Sequence, residues 1–337
     1  MHIWLILSGV ALLGFTALDV LWTTLAVGSG GGPLTSRLCS VLWKVVLHQR
    51  HCRRRHHLLT IAAYIIILLP TLIWIFLTLV GWVLIFSVSR DSLISSDTNQ
   101  PADLWNRIYF IGYTLVTLGL GDYRPQGPIW QLATVLAAGS GFFLVTLAIT
   151  YLVAIAVAVT QKRQLAIYIS CLGRTAEEIL TMAWNGKDFG TLTQHLVSLA
   201  PMIVLYGQNY LAYPVIHYFH SLERHTAAEI SIVILDEALT LLEAGVKPEY
   251  RPDSSACYVT RKAISEFLDM LKAAFIKPAA ITPPLPNLDD LRAKGIPTVS
   301  DEDFQVAVSK LDKRRRLLLA LVKSDGWPWK TVVNPYR

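Results

Sequence analysis

The sequence predicts an all-α membrane protein with three bilayer-crossing helices and a helical cytoplasmic domain. Of its 337 residues, 53% are hydrophobic and the mean hydropathy is +0.45, too apolar for an ordinary soluble domain of this length. Charge is unevenly spread. Residues 58–86 and 129–159 contain no Asp, Glu, Lys or Arg, and each run exceeds the roughly 20 apolar residues that a membrane helix needs. Beyond residue 160 the chain turns polar and keeps a helical rather than an alternating period.

Residues 1–27 form the first membrane helix, interrupted only by Asp19. They lack the basic start and small-residue cleavage site of a secretory signal, so the helix is expected to be retained. Gly28 to Pro33 breaks it. Residues 28–57 then read as a basic amphipathic segment on the inner membrane surface, with Leu38, Val41, Leu42, Val45 and Val46 at helical spacing. Arg50, Arg53, Arg54 and Arg55 make it a candidate contact for anionic lipids, or an ordinary basic flank. These arginines before the second helix, with Lys162 and Arg163 after the third, place both ends of 58–160 in the cytoplasm. The first helix must then run inward from an outside N-terminus, and the four cysteines fall on cytoplasmic segments where thiols stay reduced.

Within 58–160 an outer helix (58–88) is followed by a loop and a short helix (104–116), for which Asp103 is a good N-cap. The C-terminal end of that helix carries partial negative charge. It leads into residues 117–122, Thr117-Leu118-Gly119-Leu120-Gly121-Asp122, and an inner helix (129–160) follows. Gly119 and Gly121 can take backbone angles that Cβ-bearing residues avoid. Successive carbonyls from Thr117 to Gly121 can then point to one side and replace the water around a dehydrated cation.

This run resembles the filters of the potassium-channel family, Thr-x-Gly-x-Gly-Asp. It is most similar to the leucine-containing filters of some two-pore-domain members. The resemblance covers about a third of the chain and rests on Thr114, Thr117, Gly119, Gly121 and Asp122. It implies a single-pore-loop, prokaryotic-type subunit: a potassium-channel pore module with an extra N-terminal helix, selective for K+ through filter carbonyls. Because one loop cannot surround an ion, it also implies a homotetramer. A weakly selective cation channel is the alternative within that class. A membrane-anchored helical interaction protein with a silent pore is the alternative outside it.

The chain departs from the family at the filter's support. Leu120 stands where an aromatic residue is usual, and the matching pore-helix positions are Tyr109 and Phe110. Leu120 cannot donate a hydrogen bond, and Phe110 cannot donate one to Asp122. The expectation is therefore a filter braced by packing of Leu120 on Phe110. Tyr113 is expected to reach Asp122 or the backbone behind the filter, or simply to pack. Arg124, two residues past Asp122, is expected at the outer mouth. On the inner helix, Gly139 and Gly141 are candidate gating hinges, with Gly141 at the spacing of the family's hinge glycine. Close helix packing is the competing role. Val145, Ile149 and Val153 share a face with Gly141 and are expected to line a dewetting gate, or else to face lipid.

Residues 161–337 are expected to form roughly five to seven helices, the clearest over 227–244 and 304–323. Residues 196–219 lack formal charge, but Gln208, Asn209, Pro201 and Pro214 argue for a buried helix rather than a fourth span. A span would also carry Lys313, Arg314, Arg315 and Arg316 outside. His217, His220 and Glu223 have a weak metal-ligating spacing, and Asp19 is expected to pair with Arg37 or to be hydrated. Trp327 and Trp329 read as docking residues. No phosphate loop, dinucleotide fingerprint or nucleophile–base pair stands out, so neither an enzyme, a cofactor nor a nucleic-acid partner is expected.

Overall fold

The structure is a computed structural model that describes residues 2–25, 32–48, 55–274 and 276–334. Arg50, Arg53 and Arg54 of the basic segment lie outside these residues. The chain divides into two compact units, one of residues 1–52, 61–156 and 211–218, the other of residues 53–60, 157–210 and 219–337.

The first unit opens with α1 (His2–Leu25) and α2 (Pro33–His48). Asp19 of α1 is fully buried. Its carboxylate accepts from the Leu34 N–H at 2.8 Å, the Thr35 hydroxyl at 2.7 Å and the Trp74 indole at 2.9 Å. Arg37 is not its partner and water does not satisfy it, which corrects the sequence expectation. The negative charge caps the N-terminus of α2, where unsatisfied N–H groups and the helix dipole favour it. Trp74 belongs to α3 (Arg55–Phe86), so this one side chain ties together three helices. A Cβ at Gly32 would run into the Asp19 carboxylate, so only glycine leaves room for the tie. Further along, a Cβ at Gly9 of α1 would lie 2.8 Å from the Gly81 carbonyl of α3. Small residues there let the two helices approach closely.

After α3, β1 (Leu93–Ser95) pairs antiparallel with β2 (Tyr123–Pro125), Ile94 opposite Arg124. Between them lies α4 (Leu104–Leu115), whose N-cap Asp103 accepts from the Asn106 N–H at 2.7 Å. Then α5 runs unbroken from Pro128 to Leu172, past the end expected at 160. Phe86, Phe110 and Trp130 meet at ring-centroid distances of 5.7 and 5.3 Å around Phe86 and form the core under the β ribbon. Ile3–Leu25, Ile65–Phe86 and α5 are long and apolar enough to cross a membrane.

The second unit contains the end of α5, α6 (Ala176–Ala183), α7 (Gly190–Ala212) and α8 (Ala228–Thr240). It continues with α9 (Ser254–Ala274), α10 (Asp289–Ala293), α11 (Asp301–Ser309), α12 (Asp312–Ser324) and α13 (Lys330–Val333). α8 is buried along its whole length and packs against α6, α9, α12 and α13. Its acids are each paired. Asp236 accepts from Arg314 and Arg261, Glu237 from Arg315, and Glu229 from Lys162. Arg316 donates to the Ala279 carbonyl at 2.6 Å. Of the basic run that counted toward membrane orientation, Arg315 is thus buried and paired and Arg314 is half-buried on Asp236, while Lys313 stays exposed.

The helix expected over 304–323 is two helices, α11 and α12, parted at Lys310 and Leu311. α7 turns Leu196, Leu199, Ile203, Tyr206 and Tyr210 inward. Among the described residues no group of three His, Cys, Asp or Glu is placed to hold an ion, so the weak spacing of His217, His220 and Glu223 gathers no such set. His220 instead faces Asp325 at 3.3 Å and lies 5.5 Å from the Trp327 ring.

Candidate functional site: the loop between α4 and α5

The loop grows directly from the end of α4. The Thr117 N–H donates to the Thr114 carbonyl at 3.0 Å and the Leu118 N–H to the Tyr113 carbonyl at 2.8 Å, so the last helical turn flows into residues 117–122. Thr117, Gly119 and Gly121 then have φ of +58°, +62° and +86°. Left-handed angles at alternate positions turn successive peptide planes in the way a carbonyl-lined path requires. The two glycines take them without penalty, whereas Thr117 is a β-branched residue in a sparsely populated region. Leu118, Leu120 and the loop between them are exposed in the single chain.

Asp122 is held by Tyr109, whose hydroxyl donates to Oδ2 at 2.8 Å. Tyr113 donates to the Tyr123 carbonyl at 3.3 Å, the backbone arm of its expected reach, and its ring stands edge-on to Tyr109 at 5.2 Å. The expected packing brace is not present in the single chain. Leu120 is half exposed, while Phe110 is buried in the core against Phe86 and Tyr113. Tyrosine hydroxyls from α4 supply hydrogen bonds that Leu120 and Phe110 cannot. Thr114 is buried beneath the loop.

Ser96, which no sequence pattern marks, holds the loop from the other side. Its N–H donates to the Asp122 carbonyl at 2.8 Å and its hydroxyl to the Gly121 carbonyl at 2.5 Å. One serine among several in a polar loop has no period that marks it. Only the β1–β2 pairing beside it creates the contact. Arg124 on β2 is exposed and donates to Asn99 Oδ1 at 2.6 Å.

Gly139 and Gly141 lie on α5, which stays helical through both. Space distinguishes them. A Cβ at Gly139 would meet nothing within 4 Å, whereas one at Gly141 would overlap the Leu115 carbonyl, 2.7 Å from its carbon. Gly141 is therefore where α5 passes closest to the last turn of α4. Trp82 of α3 also reaches α5, donating to the Ser140 hydroxyl at 2.9 Å. Val145, Ile149 and Val153 are all exposed on one face of α5, available to line a pore or to face lipid.

Residues 71–158, which carry this loop and the helices on either side, match the family model described as "Ion channel". Over 328 residues the chain is 36% identical to the "Uncharacterized membrane protein YdjJ" of Bacillus subtilis (strain 168), covering 96% of this chain and 94% of that protein. No solved structure matches the chain. The chain is therefore a multi-pass membrane protein with an ion channel domain, and it belongs to the same family as YdjJ.

Proposed function

We propose that the protein is a potassium-selective channel subunit that conducts K+ passively as a homotetramer, with residues 117–122 as its filter. The observation that carries this reading is the alternation of positive φ at Thr117, Gly119 and Gly121 at the C-terminal end of α4, within an ion channel domain. Backbone carbonyls presented in this way replace a cation's hydration shell, and the partial negative charge of the α4 terminus favours a cation there. One such loop per chain requires assembly to close the path. Gly139 and Gly141 serve as hinge and packing points, and Val145, Ile149 and Val153 line the gate. Arg124 sits at the outer mouth. In this reading Arg50, Arg53, Arg54 and Arg55 are the candidate contact for anionic lipid. Residues 161–337 form a cytoplasmic domain, with the N-terminus outside.

A weakly selective cation channel is the second reading. It is favoured by the Ser96 hydroxyl on the Gly121 carbonyl, since a carbonyl already accepting a hydrogen bond is a poorer ligand for an ion.

Purified protein in liposomes tests both readings. With K+ on one side and Na+ on the other, the reversal potential is expected to lie near the K+ equilibrium value. Gly121→Ala is expected to lose that preference, because a Cβ at φ near +86° costs about 1–2 kcal/mol in each chain. A reversal potential near zero for the unmodified protein selects the weakly selective channel. An absence of flux removes both readings.

A further inference from the structure

In the second unit, the last turns of α5 form one wall of an open cleft of about 460 Å3, lined by Ile167, Ser170, Cys171, Arg174, Arg224 and His225. No carboxylate lines it. Arg224 is partly buried and spends its guanidinium on neutral acceptors, the carbonyls of Arg174, Thr331 and Val332. Arg174 is exposed, and its side chain has no ion pair or hydrogen bond among the described residues. The acids nearby are committed elsewhere. Glu178 accepts from the Arg174 backbone N–H at 2.7 Å, and Glu223 faces His225 at 3.4 Å on the solvent side. Burial lowers the Arg224 pKa, Glu178 raises it, and the charge of Arg174 lowers it further, so the two guanidinium groups repel across the cleft. Glu178 supplies a nearby negative charge but does not line the cleft, whose planar guanidinium groups match the oxygens of a phosphate.

We propose that this cleft binds a phosphate-bearing anion, held by Arg174 and Arg224 with His225 at the rim. Ser170 and Cys171 belong to α5, the same unbroken helix that carries Gly141, Ile149 and Val153. Occupancy would thus act on the cytoplasmic extension of the helix that the channel reading assigns to the pore. The regulatory consequence rests on that reading, while the binding itself does not.

Cys171 is exposed on the cleft wall and reports occupancy directly. Full-length protein in nanodiscs of neutral lipid is treated with a maleimide at fixed ionic strength, with inorganic phosphate or chloride as the added anion. Alkylation of the Cys171 peptide is then followed by mass spectrometry. Phosphate is expected to slow alkylation at least about fivefold in a saturable manner, and chloride is not. Arg174→Ala and His225→Ala are each expected to raise the half-protecting phosphate concentration about tenfold. The His225 variant guards against any local distortion in the Arg174 one. A parallel arm replaces soluble phosphate with phosphatidylglycerol in the nanodisc. Protection there alone assigns the anion to a lipid headgroup, and protection by inorganic phosphate assigns it to a soluble compound. The site is rejected if neither protects Cys171, or if protection is unchanged in both variants. Because the readout is alkylation, its failure is separate from a failure of ion flux.

Discussion

Alanine at Gly141 is expected to abolish ion flux, whereas alanine at Gly139, two residues earlier on the same helix, is expected to leave flux intact. The difference comes from what each new methyl group meets. At Gly141 it would overlap the Leu115 carbonyl, a backbone group in the last turn of α4 that cannot rotate away. Relief requires α4 to move off α5, and Thr117 hangs from that turn through its hydrogen bond to Thr114. Forcing extra volume into such a contact costs about 1–3 kcal/mol per chain, with every loop displaced in the same sense. At Gly139 the methyl group enters open space, and alanine in a helix interior is worth up to about 1 kcal/mol over glycine. Liposome flux and thermal unfolding of the two variants separate the outcomes. Gly141→Ala should be inactive with a lowered midpoint, and Gly139→Ala active with an equal or higher one. Wild-type flux and stability in Gly141→Ala would mean that the helices do not meet as described. As the hinge, Gly139 is expected to alter gating on replacement by alanine while flux and stability persist, and unchanged gating would remove that role.

The parts of this protein that the sequence exposes are those governed by local rules. Charge-free runs long enough to cross a bilayer, the Asp103 cap and the glycines at 119 and 121 depend on few residues, and each appears where composition and spacing place it. Contacts between distant residues are not legible in this way. Asp19 looks like an exposed helix-end acid because nothing in the chain announces that Trp74, 55 residues away, will meet it. Ser96 reaches the loop only through the β1–β2 ribbon. Arg314 and Arg315 read only as part of a basic run bearing on orientation, yet α8 places Asp236 and Glu237 beside them. The helix expected over 304–323 divides at Lys310 and Leu311, and a new N-terminus at Asp312 restarts it. Neither residue is a proline or a glycine, so no breaker in the sequence marked the division.

The second unit is expected to become more stable, not less, when Asp325 is replaced by asparagine. Asp325 is buried with His220 at 3.3 Å. Around it stand Glu229 on α8, Lys162 on α5 and Tyr206 on α7. Lys162 donates to Glu229 at 2.8 Å and the Tyr206 hydroxyl to the same carboxylate at 2.9 Å. Burial favours a protonated Glu229, but Lys162, a backbone N–H and the Tyr206 hydroxyl together outweigh it and hold that carboxyl below its usual range. The charge of Lys162 is thereby used. Asp325 is left with burial, which raises its pKa most, and with the negative charge of Glu229. The His220 hydrogen bond and Lys162 offset these only in part, and the pKa is pushed up to about 6. The folded state therefore holds this proton more tightly than the unfolded chain, whose aspartate titrates near 3.9. Stability from this group is full below about pH 4, declines as pH rises toward 6, and stays low above that. A displacement of this size corresponds to about 3 kcal/mol. Asparagine resembles the protonated acid in shape and carries no charge, so Asp325→Asn should unfold at a higher temperature than wild type at pH 7.5 and approach it as pH falls to about 4. Its unfolding midpoint should also change less between those two pH values. Should Asp325→Asn prove less stable than wild type at pH 7.5, the ionised carboxylate is a net stabilising partner of His220. The buried cluster would then carry a balanced charge at neutral pH.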